Sequence, residues 1–401
     1  MFLALSLVLL GAPLDVPKPI LPEPKATPSV AKPAKVIGWP KDKMPTAPAG
    51  FTVSLFADGL ENPRWITVLP NGDVLVVQSR GPGKEKTNPS HKITLLRGMD
   101  KDGKPELKEL FIKDLSSPHG VALIGETLFI ANTDGVLAFP YKTGQTKLEG
   151  KGRLILDLPA GGYNNHWTRN IVGNKDGTKL LVSVGSGSNV GEKGTAHEIL
   201  RACILETNLD GTALRVFASG LRNPVGMDFE PKSGALWTAV NERDELGDDL
   251  VPDYITSVKD GAFYGWPYSY FGQNEDPRRK GERPDLVAKA LAPDLAVGSH
   301  TASLGLAFYK SDAFPEKYRG GAFVGQRGSW NRSKFAGYRV AYVPFKDGKP
   351  TGPDEDFLTG FIANENEVYG RPVGVAVAAD GALLVVDETS NRIWRVAAEK
   401  K

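Results

Sequence analysis

RPVGVAVAADGALLVVDETSNRIWRV (371–396) is the stretch on which the fold turns. A charged residue beside a proline opens it, and an apolar run follows. The turn Ala379-Asp380-Gly381 carries the Asp-Gly chemistry of a hairpin, and a second apolar run comes after it. Leu383–Val386 shows no polar alternation, which suits a strand buried on both faces. Working outward, the same phrase returns in PRWITVLPNGDVLVVQSRG (63–81), PHGVALIGETLFIANTDGVLAFPY (118–141), TRNIVGNKDGTKLLVSVGSGSN (168–189), NPVGMDFEPKSGALWTAVNERD (223–244) and SLGLAFYKSDAFPEKYRGGAFVGQRGS (303–329). The starts lie 55, 50, 55, 80 and 68 residues apart. Antiparallel units repeating every ~40–50 residues mark a β-propeller, and the wider spacing here leaves room for loops, longest between the fourth and fifth units. The expectation is an all-β chain, a six-bladed β-propeller of four-stranded antiparallel blades over residues 49–401. A pair of β-sandwiches has similar strand spacing but would not repeat one phrase six times.

Composition agrees and narrows the function. Length alone, at about 150 residues per domain, would give two to three domains for 401 residues, and the repeat overrides it. The 45 glycines and 30 prolines fit many turns between short strands. With 49 Lys+Arg against 47 Asp+Glu the net charge is +2, so there is no general electrostatic reason to expect a nucleic-acid partner. Cys203 stands alone, excluding an internal disulfide framework and any Cys-based metal site; within RACILE it reads as core packing.

The N-terminus reads separately. Residues 2–14 form an apolar run of signal-peptide length, too short to span a bilayer, although no Lys or Arg precedes it; a buried strand or short helix is the plainer alternative. Residues 1–15 are therefore expected to be a signal peptide. Residues 13–48 hold ten of the prolines, so 16–48 reads as a Pro-rich disordered tether. No later stretch reaches the ~18 apolar residues of a membrane span. A periplasmic or secreted location is expected.

In a propeller the first strand of each blade lines the axis, so equivalent positions meet there. The residues just before those strands are Arg64, His119, His166 with Arg169, Arg222 with Asn223, and Arg371, while His300 lies three residues ahead of the fifth. Guanidinium and imidazole groups in a ring suit a polyanionic ligand, because Arg offers a rigid two-pronged donor to carboxylates. Each also has a plainer reading: Arg64 capping strand ends, His119 a satisfied channel histidine, Arg222-Asn223-Pro224 a structural turn, His166 a structural residue in GGYNNHWTRN. The charge-dense NERDELGDD (241–249) reads either as a solvated loop or as an oxygen-rich site for a hard cation such as Ca²⁺. Gly185-Ser186-Gly187-Ser188 has neither the spacing of a dinucleotide fingerprint nor a G-x-S-x-G elbow.

Taken in order, HWTRN (166–170), GLRNPVG (220–226), NERDELGDD (241–249), FYGWP (263–267), GSWNR (328–332) and RPVGVAVAADGALLVVDE (371–388) resemble the soluble sugar dehydrogenases that depend on pyrroloquinoline quinone (PQQ), in the L-sorbosone or aldose sugar dehydrogenase-like branch. The resemblance covers about residues 50–397. It implies a quinone on the propeller axis with Ca²⁺ clamped between cofactor and protein. His166 matches the catalytic base, Arg222 and Asn223 match cofactor contacts, Arg371 matches a C-terminal arginine facing the cofactor, and Arg332 falls near a basic cofactor contact. His119 and Arg169 join them through the ring. The family's cation loop, E-x-G-P-x-G-G-D-E, has its Gly-Pro replaced by Arg243-Asp244, whose backbone carbonyls are the implied metal ligands. Arg327 stands where a His is expected. The implied reaction oxidises an aldose or related sugar, at a hydroxyl or aldehyde hydrate, with hydride passing to the quinone and then electrons to an external acceptor, a cytochrome or quinone. The alternatives are a calcium-dependent propeller lactonase or hydrolase and a non-catalytic carbohydrate- or peptide-binding propeller.

Overall fold

The computed structural model describes residues 16, 18–81 and 91–399. Six four-stranded antiparallel sheets form the six blades of a propeller, as the repeats imply. The inner strands are Pro63–Val68, Gly120–Ile124, Ile171–Gly173, Pro224–Phe229, Ser303–Phe308 and Pro372–Val377, each packed on the next so that the ring closes. The second strands are the most buried, because blades cover them on both faces: every residue of Val74–Gln78, Leu236–Val240, Ala322–Gln326 and Leu383–Asp387 is buried. Blade 6 is completed from the other end of the chain, where Phe51–Ala57 pairs with Arg392–Ala398. That pairing fastens the ring through backbone hydrogen bonds between the two ends of the domain.

The turn chemistry sits where the sequence puts it. Gly72 and Gly381 adopt φ +87° and +82° between first and second strands, a conformation that L side chains rarely tolerate. Between blades 5 and 6 the need for glycine is steric: a Cβ on Gly305 or Gly325 would lie 2.1 or 1.9 Å from the Val373 carbonyl oxygen. Helix is confined among the described residues to short turns such as Pro284–Val287, and none is long and apolar enough to cross a membrane.

One expectation is corrected. The segment 16–48, read as a disordered tether, is held against the propeller at several points, although many of its described residues are exposed. Lys35–Val36 forms a parallel bridge with Glu367–Val368, and Trp39 is buried, donating Nε1–H to Asp387 Oδ2 at 2.7 Å. Proline-rich composition hides this because extended chain still offers backbone N–H and C=O groups, and one large aromatic suffices as an anchor. The expected signal peptide, 1–15, lies outside the described residues.

Candidate active site

Antiparallel hairpins bring the start of each inner strand beside the end of the second strand: Pro63 pairs with Gln78, Pro224 with Val240, Ser303 with Gln326 and Pro372 with Asp387. At that end of the axis lies an open cavity of about 520 Å³, within the range of small-molecule sites. The starts of inner strands and the residues before them supply Arg64, His166, Asn223 and His300, and residues after second strands supply Arg80, Asn241, Arg327 and Glu388. Trp167, Trp330 and Asp244 complete the walls.

His166 Nδ1 lies 2.9 Å from both the carbonyl and the hydroxyl oxygen of Ser186. Nδ1–H donating to that carbonyl leaves Nε2 as the unprotonated nitrogen. Burial, then the Arg222 guanidinium, push the imidazole down to about 3, so it is neutral at pH 7. Gly185 permits this packing, since a Cβ there would lie 2.5 Å from Asn223 Oδ1 and 2.6 Å from His166 Cβ.

Across the cavity Glu388 is clasped by Arg64 (Nη1–Oε1 2.5 Å) and Arg327 (Nε–Oε2 2.5 Å). Burial would raise its carboxyl, but Arg327 and Arg64 outweigh burial and hold it far below the usual range. One carboxylate thus fixes two guanidinium groups while leaving a net positive wall. Arg64 Nε and Asn223 Oδ1 are buried without a hydrogen-bond partner in the protein, and both residues line the cavity. Such orphaned groups suit a polar ligand.

On the third side Asp244 accepts from Arg222 Nη2 at 3.0 Å and faces His300 Nδ1 at 3.5 Å, while His300 Nε2 lies 2.8 Å from the Gly247 carbonyl. Burial works against the His300 cation, but Asp244 and Gly247 prevail and raise it; burial likewise works against the Asp244 anion, and His300 and Arg222 lower it.

The predicted residues divide accordingly. His166 and Asn223 line the cavity. Arg371 lies just behind it, its guanidinium 5.2 Å from the Tyr338 ring centre. Three other guanidiniums expected as ligand contacts are, in this structure, hydrogen-bonded to oxygens of the protein itself. Arg169 donates to the carbonyls of His166, Thr168 and Pro159; Arg222 to Asn189, Asn241 and Glu242 carbonyls and to Asp244; Arg332 to the Asp248 carbonyl and Asp249 carboxylate. His119 is wholly buried, its ring tilted 37° against Trp65 at 4.8 Å between centres, with both ring nitrogens unpartnered. Burial, aided by Arg64 and Arg169, holds it well below its ordinary value and so neutral.

The 241–249 loop is only partly solvated: Glu245 and Asp249 are exposed, while Glu242, Arg243, Leu246 and Gly247 are buried. Arg243 is buried against Asp276 at 3.0 Å, and burial pushes the Glu242 carboxyl up to about 7. Among the described residues no group of three or more His, Cys, Asp or Glu side chains could hold a metal ion. A cation there would depend on the carbonyls of Arg243 and Asp244 and on oxygens brought by a ligand, and Asn189 Nδ2 already donates to the Asp244 carbonyl at 3.3 Å.

A six-bladed propeller with an axial cavity combining a neutral imidazole, arginines and flanking indoles defines a class of small-molecule-binding propellers. The chain belongs to the TrAA12-like family, which it matches over residues 45–259 and 273–399. It is 29% identical over 368 residues to an uncharacterized protein of Borreliella burgdorferi, covering 88% of this chain and 90% of that one. It is 26% identical over 414 residues to a PQQ-dependent pyranose dehydrogenase of Coprinopsis cinerea, covering 86% of this chain; it spans only 53% of that enzyme's length. In three dimensions it superposes on the holo PQQ domain of the Coprinopsis cinerea pyranose dehydrogenase with TM-score 0.73 at 22% identity, covering 91% of this chain and all of that one. The PQQ-bound aldose sugar dehydrogenase of Streptomyces coelicolor gives 0.60 at 19% identity, covering 88% and 100%. At such identities the superpositions speak for the propeller fold.

Proposed function

We propose that the chain is a quinoprotein oxidoreductase, a PQQ-dependent dehydrogenase of an aldose or related sugar, working outside the cytoplasm and passing electrons to an external acceptor. The observation that carries this reading is one cavity lined together by a neutral His166, Arg64 and Arg327. Named relatives with PQQ-dependent sugar dehydrogenase activity support it. Bound quinone would supply the two-electron acceptor for hydride leaving the sugar carbon.

The chain's own residues do the rest. Arg64 and Arg327, pre-set by Glu388, grip carboxylates without having to be ordered on binding. His166 takes the proton of the substrate hydroxyl at Nε2, while Ser186 at Nδ1 keeps the ring in that tautomer. Asn223 Oδ1 accepts from ligand or substrate N–H or O–H groups. Trp167 and Trp330 flank the opening and reduce the access of water. Calcium would be held by the Arg243 and Asp244 carbonyls together with quinone oxygens; because the protein offers few donors of its own, no proton or hydride step is assigned through it.

The test adds PQQ and Ca²⁺, singly and together, to purified protein and follows dye reduction with a panel of aldoses. Reduction that requires PQQ supports the proposal, and the increment from Ca²⁺ measures the metal's part. Lactone hydrolysis without PQQ would replace it with the hydrolase reading. Neither activity would leave a binding propeller.

A further inference from the structure

The segment composition reads as a tether crosses three blades on the cavity side. Leu21 is half-buried against the core beneath the 241–249 loop. Lys25 N–H donates to the Leu246 carbonyl at 2.7 Å, the Thr27 hydroxyl accepts from Asp248 N–H at 2.7 Å, and the Ser29 hydroxyl accepts from Gly247 N–H at 3.2 Å. The approach is close enough that a Cβ on Gly247 would lie 2.8 Å from the Thr27 carbonyl oxygen. The chain then moves to blade 5, where Asn331 Nδ2 donates to the Val30 carbonyl at 3.0 Å and Lys32 N–H to the Trp330 carbonyl at 2.6 Å. It then pairs, at Lys35–Val36, with Glu367–Val368 in the connection between blades 5 and 6, and reaches blade 6 through the Trp39–Asp387 bond.

Both loops so gripped reach the cavity. The 241–249 loop presents Asp244, and its Gly247 carbonyl is 2.8 Å from Nε2 of cavity-lining His300. The other loop presents Trp330. The loops also meet each other, Glu245 N–H donating to Asn331 Oδ1 at 2.8 Å and Ser333 N–H to Asp248 Oδ1 at 2.9 Å. Neither loop has a strand ladder of its own here, so the strap satisfies backbone groups that regular structure leaves open.

We propose that residues 21–39 are a positioning strap that sets the Asp244–His300 and Trp330 walls of the cavity by tying the loops of blades 4 and 5 to blade 6. The strap residues act through the loops and touch no reacting atom. The inference concerns the same site as the proposed function and rests on that reading only where PQQ serves as the probe.

The test is Thr27→Val combined with Ser29→Ala in the full chain, which removes two acceptors while nearly keeping shape; Thr27→Ser is the rescue control. Hydrogen exchange is expected to rise tenfold or more at 244–249 and 329–333 while the blade strands stay protected. PQQ affinity, read by quenching of tryptophan fluorescence, is expected to weaken by about fivefold to thirtyfold, as loss of two ordinary hydrogen bonds implies, with Thr27→Ser close to wild type. Unchanged exchange in both loops, or a rise spread evenly over all six blades, overturns the strap. Should the full chain bind no PQQ, the quinoprotein reading fails while the exchange measurement still decides the strap. If the double variant does not fold, Thr27→Val alone carries the same readout.

Discussion

The axial channel has two ends made by the same six inner strands, and their chemistry is opposite. The polar cavity gathers Arg64, Arg80, Arg327, His166, His300, Asp244 and Glu388. The far end, about 490 Å³, is lined by residues such as Ile66, Val68, Val121, Leu306, Val375 and Val377. The charged pair in its lining, Asp228 and Lys310, closes on itself at 2.6 Å. Residues within the strands pack on neighbouring blades and are mostly apolar. Residues at or just beyond the strand ends are released from that demand and can carry charge. The charged cavity lies at the end where the first hairpin of each blade opens.

If that contrast is functional, mutations at the two ends should differ in kind. The largest expected effect is His166→Ala, which should lower turnover by roughly 10²–10⁴-fold with PQQ still bound, if Nε2 is the base. Dye reduction alongside cofactor absorbance checks both halves, and unchanged turnover would remove His166 from the chemistry. Next comes Arg64→Met, which keeps the stem and removes one charged grip, leaving Glu388 paired with Arg327. Loss of a charge-assisted hydrogen bond of about 1.5–3 kcal/mol should weaken PQQ binding by about ten- to a hundredfold, read in an equilibrium titration.

The sequence made one half of this cavity legible. Repeats with turn glycines identify six blades, and the position before each inner strand points to the axis, which is why His166 and Asn223 were found. The same register also picked out Arg169 and Arg222, whose guanidiniums turn away, because register fixes where a Cα lies but not which oxygens a long side chain will meet. A second register is equally readable. The residue one or two places after each second strand, giving Arg80, Asn241, Arg327 and Glu388, opens on the same end because the hairpins are antiparallel. The packing of the 16–48 segment had no such signal, since its contacts are backbone groups and one tryptophan spread over blades distant in sequence.

A smaller effect separates the ends by pH. His166 titrates near 6.5 when unfolded and near 3 when folded. Its contribution to stability is therefore whole above pH 6.5 and is lost as pH falls toward 3, because the unfolded chain then takes up a proton that the folded chain refuses. The fall in melting temperature between pH 7 and pH 4 should be smaller in His166→Gln than in the wild-type protein. Equal falls would mean that the imidazole charges freely in the fold, and the argument for a permanently neutral base would go with it.

The smallest effect on activity belongs to the far end. Val375 is buried, lines that end of the channel and packs among the side chains between blades 5 and 6. Val375→Ala removes two methyl groups from this packing, which should cost about 1.5 kcal/mol of stability at ~0.8 kcal/mol per buried carbon. Turnover and PQQ affinity should stay within twofold, because the cavity residues are held by hydrogen bonds and ion pairs at the opposite strand ends rather than by this contact. A stability loss without a kinetic one would establish that the two ends are mechanically separate. A kinetic loss comparable to that of Arg64→Met would show that inner strands transmit packing changes along their length, and the far end would then belong to the site.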